Sequence, residues 1–299
     1  MRNREARQAV KDGKLSLSYL RDSASQRVIF HVVDGQHRVA ALLKLINEDP
    51  DGPWRDFLVP FICMVGATEQ EEMEQFYVVN SRTKSVRTDL AFALLRKLTD
   101  RDPKMLERLE AKGKGWQVDA EKLVESLADS SSVWRGLIRL AAMEKGNTTM
   151  PSASMVTFLK PLLSMPLFGR LIFDQQQHVI EAFWSGLREA MRPAFDNPQD
   201  YVIQKGVGVM MLHTILVDVL EIARSTGRTI LEAATNRDIM QGPMAQLVGE
   251  AQDGQGTPVT GIDFWRTAPA GAAGSYSSSA GRRLLTAKIR QLLPRVEVV

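Results

Sequence analysis

The chain has 299 residues, 44% of them hydrophobic and 24% charged, which is the composition of an ordinary soluble globular protein of one large domain or two. Its net charge of +3 permits contact with nucleic acid without requiring it, because the basic residues read as dispersed rather than collected in a tail. The single cysteine, Cys63, excludes a disulfide framework and a thiolate metal site and favours a cytoplasmic location. Residues 1–22 lack a signal-peptide core, and the longest apolar helix, near Val207 to Ala223, is interrupted by polar and charged residues, so we predict neither export nor a membrane span.

The first part of the chain predicts a mixture of strand and helix. Residues 1–26 predict a short basic helix and a loop. The β-branched run from Val28 to Val33 predicts a buried strand, and the apolar spacing after it predicts a helix from about Gly35 to Asn47. A second apolar run predicts a strand over Phe57 to Val65.

A capping-box pattern, Thr68-Glu-Gln-Glu71, predicts the start of a helix that runs through Phe76 and Tyr77. A loop from Asn80 to Thr88 is predicted to follow, and it leads into a helix from Asp89 to Leu98.

After Thr99 the pattern is almost wholly helical. Two stretches rich in Gly, Ser, Ala and Pro, residues 254–258 and 268–281, predict loops. The amphipathic segments predict helices over Pro103–Lys112, Asp119–Leu127, Ser152–Leu163, Asp174–Met191, Lys205–Arg224, Arg237–Val248 and, with a basic character, Arg282–Leu293.

The most informative segment is the turn Asp34-Gly35-Gln36-His37-Arg38, which joins the first predicted strand to its helix. Asp34 occupies the position of an N-cap, and Gly35 relieves crowding at the bend. The free N–H groups of the helix N-terminus, its dipole and the Arg38 guanidinium together suit a phosphate or another oxyanion. The alternative is purely structural, with Asp34 as a cap, Gly35 as a turn, and solvated His37 and Arg38.

A second group of polar residues follows the capping-box helix. Asn80 is either a helix C-cap in the left-handed conformation or a ligand contact. Arg82, Lys84 and Arg87 either complete a phosphate site or touch a DNA backbone, unless they are simply solvated.

The histidines outside the turn predict no further site. His31 stands on the first predicted strand and reads as half-buried. His178 and His213 stand alone on helices, with no partner at the spacing that a zinc site needs, so no metal site is predicted.

The pentapeptide at residues 34–38 resembles the signature of the DGQHR-domain family, which includes DndB-like proteins of DNA phosphorothioation and belongs to the ParB and sulfiredoxin-like superfamily. The superfamily pattern of a glycine, an arginine and a small helical residue is matched by Gly35, Arg38 and Ala41. Downstream, residues 75–86 resemble the family's helix that ends in an asparagine before a basic loop. The resemblance covers about residues 27–98.

The resemblance implies an α+β fold, with a small ParB/sulfiredoxin-like αβ core at residues 1–98 followed by a mostly α-helical domain at residues 99–299. Family members have strands before this motif, whereas 33 residues precede it here, so a core that is truncated at its N-terminus is expected.

The resemblance also implies that the turn binds a nucleotide such as ATP, with Mg²⁺ as its companion ion, and hydrolyses it. Phosphate contacts then fall to Gly35, Gln36, His37, Arg38, Asn80 and Arg82, catalytic roles to Asp34, His37 and Arg38, and DNA contacts to Arg82, Lys84 and Arg87. Expected partners are a nucleotide, DNA and other proteins of a bacterial DNA-modification or phage-defence system. Two alternatives stay open, a non-enzymatic DNA-binding regulator and a ParB-like nuclease.

Overall fold

The structure is a computed structural model. It describes residues 10–11, 14–15, 32–59, 62, 64, 67–82, 88–141 and 143–295, without the side chains of residues 10–15, 79–82 and 103. The chain divides into two compact units, Met1–Arg87 and Thr88–Val299. The division falls before the helix that starts at Thr88, whereas the sequence predicted a domain boundary at residue 98.

The first unit contains a short hairpin and two helices. Strands β1 (Val10–Lys11) and β2 (Lys14–Leu15) pair antiparallel, so these four residues form a hairpin within the stretch 1–26, for which a short helix and a loop were predicted. Helix α1 spans Gln36–Glu48 and helix α2 spans Glu69–Arg82. The helix predicted from Gly35 to Asn47 is therefore confirmed, with Gly35 as its N-cap.

The two strands predicted for the first unit are wrong wherever the structure describes their residues. Val32 and Val33, and the described positions between Phe57 and Met64, have no strand conformation. The reason is visible in Leu58 and Ile62, which are 89% and 98% exposed. A strand forms where a neighbour pairs its backbone and a second layer covers its face, and these side chains are covered by neither. The other residues of both predicted strands lie outside the described part of the chain.

The second unit is helical, and its long helices agree with the predicted segments to within four residues at each end, whereas the short helices Pro166–Gly169 and Arg192–Asp196 were not predicted. Helix α6 has the same bounds as its prediction. The helices of this unit are α3 (Thr88–Arg101), α4 (Pro103–Ala111), α5 (Trp116–Ser130), α6 (Ser152–Leu163), α7 (Pro166–Gly169), α8 (Phe173–Ala190), α9 (Arg192–Asp196), α10 (Gly206–Ser225), α11 (Ala233–Gln246) and α12 (Ser279–Leu292).

Two small strand pairs and two 3-10 turns complete this unit. Strands β3 (Ile138–Arg139) and β4 (Met150–Pro151) pair parallel, and β5 (Val248–Glu250) and β6 (Pro258–Thr260) pair antiparallel. The predicted loop at residues 268–281 instead holds a 3-10 helix, and α12 begins within it. The other 3-10 helix spans Asp263–Trp265. The chain is thus mostly helical with small sheets, which agrees with the α+β class at this coarse level.

The core of the second unit is built from large apolar side chains of several helices. Trp134, Phe183 and Trp184 are completely buried, and the rings of the two tryptophans meet edge to face with centroids 4.7 Å apart. Helix α10 has the length and hydropathy of a membrane span, but most of its residues are buried, and it packs against α6 and α12. It is a core helix of this unit.

Candidate functional site

The turn before α1 leaves the helix N-terminus without a side-chain cap. Gly35 is the N-cap residue, with φ 91° and ψ 10°, a left-handed conformation that favours glycine. The prediction of Asp34 as the N-cap is wrong, because the helix starts one residue later, at a glycine N-cap that has no side chain to accept a hydrogen bond. Backbone N–H groups of a first turn have no acceptor within the helix. The first turn of α1 therefore presents backbone N–H donors and carries no acidic side chain.

Arg38 folds back over this turn. Its Nη2 donates to the Asp34 carboxylate at 3.2 Å, an ion pair between residues four apart. A Cβ built on Gly35 would lie 3.3 Å from the same nitrogen, so the guanidinium stands next to the helix N-terminus. The side chain of Arg38 is 81% exposed and that of Asp34 is 47% exposed, which leaves the pair open to a ligand from solvent.

Of the two remaining residues of the turn, Gln36 makes a hydrogen bond with the preceding chain, and no contact is described for His37. Gln36 Nε2 donates to the Val32 carbonyl oxygen at 3.1 Å, which ties the helix start to the preceding chain. The His37 side chain is exposed to solvent. Of the predicted turn residues, the structure brings Asp34, Gly35 and Arg38 together.

The N-terminus of α2 offers a contrast to that of α1. Thr68 and Glu71 form the predicted capping box, with the Thr68 N–H donating to Glu71 Oε2 at 2.7 Å and the Glu71 N–H donating to Thr68 Oγ1 at 3.2 Å. Three glutamates occupy the first turn of this helix. Two of its donors are thus satisfied and its first turn is negatively charged, so of these two helix starts that of α1 is the one that suits an anion.

The described part of the structure does not place the second predicted group, the polar residues from Asn80 to Arg87, at the turn. Asn80 lies inside α2, which continues to Arg82, so the predicted C-cap at Asn80 and the loop start there are wrong. The side chains of Asn80 and Arg82 and the whole of Lys84 and Arg87 lie outside the described part of the chain.

The residues around the turn do not fit Mg²⁺. Magnesium in nucleotide sites takes one or two carboxylates besides the phosphates, and the carboxylate of this turn, Asp34, is already paired with Arg38. Within the described ranges, no group of three His, Cys, Asp or Glu side chains is placed to hold a metal ion.

A second polar cluster, which the sequence analysis missed, lies between α3 and α5. Glu121 on α5 is 2% exposed and Asp89 on α3 is 6% exposed, and Arg96 and Glu125 stand beside them, with Arg96 Nε 3.7 Å from a Glu125 oxygen. Burial is the main cause that raises the pKa of Glu121 to about 7; the negative charges of Glu125 and Asp89 act in the same direction, and Arg96 opposes them. The sequence signal was present, since Glu121 stands between Val118 and Val124 in the buried stripe of its helix.

His213 on α10, which the sequence showed as a lone histidine without a site, is completely buried. Burial lowers the pKa of His213 to about 4, partly opposed by its hydrogen bond with the Phe158 carbonyl. A histidine on an apolar helix signals burial, but its partners come from distant segments and could not be read from spacing.

Comparison with known proteins finds no relative of this chain. No protein-family model, curated protein or solved structure matches the chain.

Proposed function

We propose that the chain binds the phosphates of a nucleotide such as ATP at the turn Asp34 to Arg38 and hydrolyses it. The observation that carries the proposal is the uncapped N-terminus of α1 with the Arg38 guanidinium beside it. The resemblance of these five residues to the DGQHR signature supports the same ligand, and with it a cytoplasmic role in bacterial DNA modification or phage defence.

Binding would use three groups of the turn. The first-turn N–H groups of α1 donate to phosphate oxygens, and the helix dipole favours the negative charge. Arg38 exchanges the carboxylate of Asp34 for a phosphate, since a guanidinium forms the same paired hydrogen bonds with either anion. Gly35 keeps the approach open, because a side chain at φ 91° would be strained and would meet Arg38.

Hydrolysis would draw on the side chains of the same turn. Arg38 would stabilise the charge that develops on the transferred phosphoryl group, and exposed His37 would donate a hydrogen bond or carry a proton. The proposal contains no step through Mg²⁺, because the Arg38 guanidinium stands beside the Asp34 carboxylate and its positive charge opposes a second cation there.

Titration calorimetry with ATP tests the binding step. We expect Arg38→Ala to weaken ATP binding at least tenfold, since one charge-assisted hydrogen bond contributes about 1.5–3 kcal/mol. The matched control is Lys44→Ala, which removes another exposed cation from α1, also paired with a carboxylate four residues away. Equal ATP affinity of the Arg38→Ala variant and the unmodified chain would contradict the assignment of the site. Hydrolysis is tested separately, by measuring the phosphate that the unmodified chain releases from ATP.

The alternative function is a DNA-binding regulator without enzymatic activity. Arg82 at the end of α2, with Lys84 and Arg87 after it in sequence, supports DNA contact from this unit. Filter binding with duplex DNA across salt concentrations separates the two functions, because several phosphate contacts give a steep salt dependence. A regulator of this kind is expected to bind DNA and to release no phosphate from ATP. Failure of the chain to bind DNA at low salt would exclude this function.

A further inference from the structure

Positive charge is concentrated near the end of the second unit, contrary to the dispersed distribution expected from the overall composition. Residues 264–295 contain six lysines and arginines and no aspartate or glutamate. Because the whole chain carries +3, the rest of it carries a net charge of −3. Five of the six cations lie on α12 and the three residues after it, namely Arg282, Arg283, Lys288, Arg290 and Arg295.

Most of this charge is not neutralised by carboxylates. Two of the six cations are paired with carboxylates, Arg266 with Asp263 at 2.6 Å and Arg290 of α12 with Asp218 of α10 at 2.8 Å. Lys288 donates to the hydroxyl of Tyr276 at 3.0 Å, and Arg282 donates to the Ser277 carbonyl oxygen, so both keep their charge. Arg283 and Arg295 are exposed to solvent.

Two of the cations lie along one side of α12. Arg283 and Arg290 are seven residues apart, which is two helical turns or about 10 Å, whereas Arg295 follows the helix, which ends at Leu292. Leu284, which is 55% exposed, lies next to Arg283 in the chain. Exposed serine hydroxyls at residues 277–279 extend this surface at the helix N-terminus.

The composition of this surface distinguishes between two negatively charged partners, an anionic membrane and a nucleic acid. A helix that binds an anionic membrane inserts a continuous apolar face. The apolar residues of α12, chiefly Leu285 and Ile289, are completely buried in the core, which leaves Leu284 as its exposed large apolar side chain. Arginines, lysines and hydroxyls without an apolar face are instead the groups that contact nucleic-acid phosphates.

We propose that the outer side of α12 binds the phosphate backbone of a nucleic acid. The contact depends on charge rather than on base sequence. Because it lies in the second unit, the proposal is independent of nucleotide binding at Asp34 to Arg38.

Fluorescence anisotropy with a labelled DNA duplex tests the surface on the full chain. We expect the double variant Arg283→Gln/Arg295→Gln to weaken DNA binding about tenfold or more at low salt and to reduce the salt slope by about 2, since each lost phosphate contact removes about 0.9. The control Arg135→Gln/Arg170→Gln removes the same charge from other exposed positions of the second unit and should bind DNA as the unmodified chain does. All four positions are exposed, so unchanged melting temperatures are expected.

Three results would overturn the proposal. The first is an unmodified chain that binds no duplex at about 50 mM salt. The second is an equal loss in both double variants, which would assign binding to net charge alone. The third is binding to phosphatidylserine vesicles without binding to DNA, which would make the partner a membrane. A parallel titration with an RNA duplex identifies the nucleic acid, and Arg38→Ala should leave all duplex titrations unchanged, which separates this proposal from nucleotide binding.

Discussion

His213 shows how a single buried side chain is fixed by its two neighbours. Its Nε2 lies 3.1 Å from Trp184 Nε1, and its Nδ1 lies 3.2 Å from the Phe158 carbonyl oxygen. An indole N–H can only donate and a carbonyl can only accept, so the neutral ring must carry its proton on Nδ1. The imidazole therefore joins α6, α8 and α10 through one defined tautomer.

Replacement of His213 by an apolar residue should lower stability by more than the loss of packing. We expect His213→Leu to reduce the free energy of unfolding by about 2–4 kcal/mol, because it leaves the Trp184 N–H buried without an acceptor and removes the hydrogen bond to the Phe158 carbonyl. His213→Gln keeps an acceptor for Trp184 and should cost less. Urea denaturation measures both, and a leucine variant as stable as the glutamine variant would show that these hydrogen bonds contribute little.

At the scale of elements, the contact between α8 and α11 depends on the absence of a side chain at Gly186. A Cβ at this position would lie 2.6 Å from the Ala233 carbonyl oxygen, 2.7 Å from the Arg237 nitrogen and 2.8 Å from Asn236 Cβ. Two of these atoms belong to the backbone of α11, so the helices could accept a methyl group only by moving apart.

The two helices of this contact offer a matched pair of glycine variants. Gly186→Ala should lower the free energy of unfolding by about 1–3 kcal/mol or more, because it overpacks the crossing. Gly242→Ala on α11 meets, beyond its chain neighbours, only the end of the Gln246 side chain at 3.7 Å, and because Pro243 follows it the gain in helix propensity is offset, so stability should change by less than about 0.5 kcal/mol. Thermal denaturation should therefore show a clear loss for Gly186→Ala and little change for Gly242→Ala, and equal losses would contradict the close crossing.

Periodicity and capping predicted the helices, because both are local properties of the chain. The bounds of α6 and the Thr68–Glu71 capping box were readable from sequence alone. The two-residue strands β3 and β4 were not, since they are too short to show a period and their pairing joins residues twelve apart. The apolar run after Phe57 misled the prediction, because a run of this kind has the same pattern whether or not another layer covers it.

The helix start at the candidate site was predicted to within one residue, but its contacts were not. A glycine before an apolar helical period located the start of α1 to within one residue. The pairing of Asp34 with Arg38 depends on Gly35 taking the N-cap position, and an aspartate before a glycine is equally compatible with a cap.

For the molecule as a whole, two buried groups give stability opposite dependences on pH. Folded Glu121 holds its proton up to about pH 7 and the unfolded chain releases it near 4.5, so its contribution is lost as pH rises through this window. Unfolded His213 takes up a proton near 6.5 and the folded form only near 4, so its contribution is lost as pH falls. Between about pH 4.5 and 6.5 the two effects offset each other.

Single variants should expose the two opposing slopes. Relative to the unmodified chain, we expect the free energy of unfolding of Glu121→Gln to gain about 1.4 kcal/mol per pH unit between about pH 4.5 and 7. The free energy of unfolding of His213→Gln should lose a similar amount per unit between about pH 4 and 6.5. Urea denaturation at a series of pH values measures both slopes, and parallel curves for all three proteins would show that neither group titrates differently on unfolding.

Helix α1 has a consequence for any ligand of its first turn. None of its 13 residues is buried, although Val39 and Leu43 form part of an apolar face. Isolated helices of this length are marginal in water, so ligand binding and helix formation become one coupled equilibrium. An anion held by the first-turn N–H groups would slow hydrogen exchange as far as the last turn, and substitutions far from the ligand that raise helix propensity would tighten its binding by raising the competent fraction.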